Sequence, residues 1–67
     1  DGRVGLLAAY EAGGSLRKLG RFDDAVRYFD RVSERDPRGA FGANAMLQAA
    51  DCRYLQKNYD RALERYR

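Results

Sequence analysis

A chain of 67 residues with 13 basic and 10 acidic side chains, net charge +3, has room for one small domain, at a size where burial is barely sufficient without disulfides, metal or association. The basic residues are interleaved with acidic ones, as on a solvated face, which argues against nucleic acid as a partner. No stretch approaches the ~20 apolar residues of a membrane span, and with no His and only Cys52 there is no internal disulfide and no Cys-built metal cluster.

Ile, Thr and Trp are absent and Val stands only at positions 4, 26 and 32, so the chain lacks most strand formers and reads as all-α. Ten Ala make up much of the apolar share, which leaves a thin core that neighbouring units would complete.

A first helix is expected over about 4–19, with Val4, Leu7, Ala8, Ala12, Leu16 and Leu19 on one face. Gly13 and Gly14 inside it cost roughly 2 kcal/mol relative to two alanines. They mark either a close approach of another helix or a kink. Gly20 offers a left-handed helix end, and the short step to Phe22 forces a reversal.

The second helix is expected over 22–35, with Asp23 and Asp24 in its first turn, where carboxylates meet the positive end of the helix dipole. Its inward stripe is Phe22, Ala25, Val26, Phe29 and Val32. Asp23 with Arg27 and Arg31 with Glu34 are spaced as surface ion pairs, and Tyr28 falls on the outer rim. Asp36-Pro37 ends this helix, because Pro disfavours a helical residue before it.

A third helix is expected over 43–56 with apolar residues on more than one face, as in a helix held between neighbours; Cys52 among them is a small core residue. Lys57 then stands where Gly20 stood and Asn58 is a good cap, so a short fourth helix is expected over 59–67 with Tyr59, Ala62, Leu63 and Tyr66 inward.

The last segment repeats the second. Phe22, Asp23, Ala25 and Phe29 recur as Tyr59, Asp60, Ala62 and Tyr66, each 37 residues on, and a fixed period of that size marks a repeat array. The expected units are 1–37 and an incomplete 38–67. The chain lacks an initiator Met and stops within an expected helix, so it reads as a processed product or an excised segment.

A catalytic reading finds no support. Ser15, Ser33 and the five Tyr are the only hydroxyls, no base stands beside them, and Asp23 and Asp24 point about 100° apart on a helix. No phosphate-binding Gly loop follows a strand, and no cofactor or metal is expected.

Ala9, Ala12, Gly13, Leu16, Gly20, Phe22, Ala25, Phe29 and Pro37 resemble the tetratricopeptide repeat pattern, as do Ala49, Ala50, Tyr54, Tyr59, Ala62 and Tyr66 in the second unit. Arg53 and Lys57 depart from it, and three residues around 38–43 exceed the family's period of 34. Pro37, Phe41, Asn44 and Ala45 are similar to a loop of bacterial envelope proteins of this family, including the Tol-Pal division coordinator type. That similarity implies a bacterial protein of the periplasm or cell envelope rather than the cytoplasm.

The resemblance implies an α-solenoid of antiparallel helix-turn-helix repeats, four helices here, that acts as a protein-protein interaction scaffold. Its concave face would bind a peptide or protein segment through Leu7, Tyr10, Arg17 and Lys18 of the first unit and Asn44, Leu47, Asp51 and Tyr54 of the second. Gly14 and Leu55 would lie on the same face. The family's carboxylate clamp is not expected, since Tyr10, Gly14 and Gln48 occupy its places. The alternative is a structural subunit whose uncapped ends, Val4 and Leu6 at one side and Leu63 and Tyr66 at the other, stack chain on chain into a filament or ring.

Overall fold

The computed structural model describes residues 2–65, with side chains from residue 5 onward. Three helices follow one another: α1 (Gly2–Lys18), α2 (Phe22–Arg35) and α3 (Ala40–Arg65). α2 packs against both others, whereas α1 and α3 touch only sparsely. The molecule is elongated, with principal extents of 48 × 19 × 12 Å.

α1 stops where its glycine allows. Gly20 has φ +78°, and the Arg21 N–H donates to the Leu16 carbonyl at 2.9 Å while the Gly20 N–H donates to Arg17 at 3.0 Å. This pair of bonds is a Schellman motif, which satisfies two carbonyls that the helix end would otherwise orphan. The chain then reverses, and α2 lays Ala25, Phe29 and Val32 into the centre with Phe22 and Val26 half-buried beside them.

Gly13 explains how close α1 and α2 come. A Cβ there would lie 2.9 Å from the Phe29 ring, so the glycine is the recess that receives the aromatic; at Gly14 a Cβ would meet nothing within 4 Å. The helix runs through both without a break.

The α2–α3 turn is built around Asp36. Its N–H closes α2 on the Val32 carbonyl at 3.0 Å, its own carbonyl accepts from Gly39 at 3.1 Å, and its carboxylate accepts from the Gly42 N–H at 3.3 Å. One residue thus closes one helix through its backbone N–H and caps the next through its carboxylate, where free N–H groups and the helix dipole favour negative charge. Gly42 is buried there, and no larger residue fits because a Cβ would overlap the Asp36 backbone carbonyl. With that turn satisfied, α3 begins at Ala40, three residues before the expected start at 43.

Four helices were expected and three are present among the described residues, because α3 continues through the anticipated turn at residues 57–58 to Arg65. The physical reason is the missing stop signal. No Gly or Pro occurs between residues 43 and 65, and Lys57 would be strained by roughly 1–2 kcal/mol in the left-handed conformation that Gly20 adopts. Gln56 also donates to Asp60 at 3.0 Å, a bond across one helical turn that spans the expected break. Tyr66 and Arg67, the rest of the expected fourth helix, lie outside the described residues.

α3 buries only one face, Gly42, Ala45, Ala49 and Cys52, and so is not held between neighbours on several sides. The same alternation of four and three residues continues through Gln56, Tyr59 and Leu63 beyond the core. There the stripe is open: Tyr59 is 57% and Leu63 44% exposed. Tyr59, expected to face inward, is therefore a surface residue, and Ala62 is exposed with it.

Candidate functional site

The residues expected on a concave face fall on α1 and α3. Arg17 of α1 and Asp51 of α3 are joined across 2.5 Å, each side chain less than half exposed, and this ion pair ties together two helices that otherwise make few contacts. On either side of it Leu7 is 45%, Leu47 71% and Tyr54 64% exposed, while Lys18 and Asn44 are open to solvent. Exposed large apolar side chains beside a fixed ion pair suit recognition of a segment that is partly apolar and partly polar.

Tyr10 differs from the others. It is half-buried, its ring meeting Phe29 edge-on at 5.6 Å and Phe41 at 5.8 Å, so it links all three helices. Its ring forms a wall of the face more than a free anchor. Gly14 and Leu55 are half-buried.

Cys52 lies close to Arg17 and Asp51. It is fully buried, and desolvation pushes its thiol pKa up; the neighbouring Arg17 guanidinium pulls part of the way back. A neutral, enclosed thiol is a packing residue and a poor nucleophile. The Arg17 Nε–H is buried without an acceptor among the described residues. No group of His, Cys, Asp and Glu among the described residues could hold a metal ion, and no described helix is long and apolar enough to cross a membrane.

Of the residues expected at stacking ends, Leu6 is half-buried against the core and Leu63 is exposed. The side chain of Val4 and the whole of Tyr66 lie outside the described residues.

Three features were not foreseen in the sequence. The ion pairs on α2 are between Arg21 and Asp24 at 2.8 Å and between Arg53 and Asp30 at 3.0 Å, and the expected pairs of Asp23 with Arg27 and Arg31 with Glu34 are absent among the described residues. The Arg31 guanidinium lies instead 5.9 Å from the centre of the Tyr28 ring. The role of Asp36 at Gly42 was also unread, although an acidic residue shortly before a helix start is the signal that marks it.

No curated protein and no solved structure matches the chain significantly. The tetratricopeptide repeat family model matches residues 5–67, nearly the whole chain. Such repeats are helical modules typically used for protein-protein interaction rather than catalysis. With helix pairs packed through Ala, Gly and aromatic residues and a family match of this span, the chain belongs to the tetratricopeptide repeat family.

Proposed function

We propose that the chain is a non-catalytic scaffold module that binds a peptide or protein segment on the face formed by α1 and α3. Leu7, Leu47 and Tyr54 supply apolar contact, Lys18 and Asn44 supply polar contact, and the pair of Arg17 and Asp51 keeps the two helices in register. The observation that carries this reading is the exposure of Leu47 and Tyr54 beside that ion pair, since large apolar side chains held in solvent on a rigid element are what a partner covers. A displayed random-peptide library selected on the folded chain tests it. Selected peptides should lose at least about tenfold in affinity on Tyr54→Ala or Leu47→Asp, the size expected for an interface anchor, with the circular dichroism unchanged. Peptides that bind both variants as tightly as the parent would place the site elsewhere.

A second reading, self-assembly through open ends, draws on the uncovered stripe of Tyr59 and Leu63 on α3. A head-to-tail contact through it would grow until something stopped it. Sedimentation across a hundredfold dilution separates the readings: a constant monomer mass excludes self-assembly and leaves peptide binding intact.

A further inference from the structure

α2 carries a concave feature beside Leu16 of α1. It is an open cleft of about 380 Å³, lined by Leu16, Arg21, Asp24, Arg27, Tyr28 and Arg31. Three guanidinium groups meet one carboxylate there. Asp24 is already engaged by Arg21 at 2.8 Å, and Arg31 rests against the Tyr28 ring. Arg27 and Arg31 have no carboxylate within ion-pair distance among the described residues.

From this geometry we infer that the cleft docks an acidic peptide segment, with Arg27 and Arg31 each taking one of its carboxylates. The two arginines are four residues apart on one helix, which spaces their side chains by about 5–6 Å. Acidic side chains at alternate positions of an extended strand stand about 6.6 Å apart on one face. Two guanidinium forks, each suited to a planar carboxylate, therefore match two acidic residues separated by one. Leu16 and the Tyr28 ring give the peptide backbone an apolar floor. A polyphosphate backbone suits the cleft less well, because Asp24 lies within it and Asp23, Asp30 and Glu34 lie along the same helix. This surface is separate from the α1–α3 face and stands or falls independently of it.

The test is nuclear magnetic resonance of the labelled full chain titrated with the capped pentapeptide Gly-Glu-Gly-Glu-Gly. The side-chain Nε–H signals of Arg27 and Arg31 and the Tyr28 ring signals should shift together, and the corresponding Gln peptide should produce no shift. The double variant Arg27→Gln and Arg31→Gln should bind roughly tenfold more weakly, about the effect of two exposed ion pairs. Arg38→Gln, a control on the exposed α2–α3 turn, should change affinity less than about twofold. All three arginines are exposed, so these variants leave the core untouched. Equal weakening by Arg38→Gln would reduce the effect to diffuse charge attraction. Shifts centred on Arg17 and Lys18 would assign the peptide to the other face, and a short oligonucleotide that shifts the cleft at lower concentration than the peptide would overturn the choice of ligand.

Discussion

The aromatic-Asp-x-Ala segment beginning at Phe22 and its echo beginning at Tyr59 have the same apolar pattern and opposite fates. The first follows a glycine in the left-handed conformation, turns back and buries Ala25 and Phe29; the second follows Lys57, stays in line with the helix before it and leaves Tyr59, Ala62 and Leu63 in solvent. An apolar pattern specifies which face of a helix seeks cover. Whether the chain reverses to provide that cover is decided by one residue that can adopt positive φ.

The contrast is broken most strongly at its buried end. Phe29→Ala empties the recess at Gly13 and should cost about 3–5 kcal/mol, enough to unfold most of so small a domain, as read from urea titration. Tyr59→Ala should change stability by less than about 0.5 kcal/mol in the same experiment. Equal costs would mean that Tyr59 is covered in solution.

Exchanging the stop signals sharpens the point. Gly20→Ala places a Cβ in left-handed backbone and should lower the melting free energy by roughly 1–2 kcal/mol. Lys57→Gly should weaken α3 by about 1 kcal/mol locally and remove the helical carbon chemical shifts of residues 56–58. Helical shifts that persist there would show that Lys57 alone does not hold α3 straight.

Asp36→Ala tests the turn that did form: loss of the bond to Gly42 should cost about 1 kcal/mol.

The smallest effect concerns Cys52. Its raised pKa means that the unfolded chain releases the thiol proton first, from the ordinary value of 9.0 upward, while the folded chain keeps it. The folded state binds the proton more tightly, so this contribution is full below pH 9.0 and is lost as pH rises through the higher folded value. A modest decline in stability across that alkaline range, absent in Cys52→Ala, is the expected result.

The end of α1 and both ends of α2 were legible because they rest on strong local signals, Gly20 and Asp36-Pro37, and the inward stripe of α2 follows helical spacing without a competing face; the packed face of α1 was not, since Leu6 and Ala9 meet the core while Leu7 is 45% and Leu19 73% exposed. Gly13 was legible as a close approach. Its neighbour Gly14 makes none, and nothing in the structure explains it. The fourth helix was misread because resemblance between two segments carries over their faces and not the turn before them. The residues expected on a concave face could be assigned to helices from the repeat pattern, but the pairing of Arg17 with Asp51 depends on how α1 and α3 approach, which periodicity does not encode. The cleft on α2 was hidden for a similar reason: it needs Leu16 from α1 as its floor, so scattered arginines in the sequence gave no sign of it.

The uninterrupted helix also makes α3 a ruler. The helix carries Arg65 about 20 Å beyond Cys52, its last buried residue, at 1.5 Å per residue, on a rod whose root is clamped by α2. Anything grasped near Leu63 is held at a set distance and compass bearing from the body. One residue inserted after Lys57 would lengthen that reach by only about 1.5 Å but swing the tip by about 100°, so bearing, far more than length, is the quantity this extension controls.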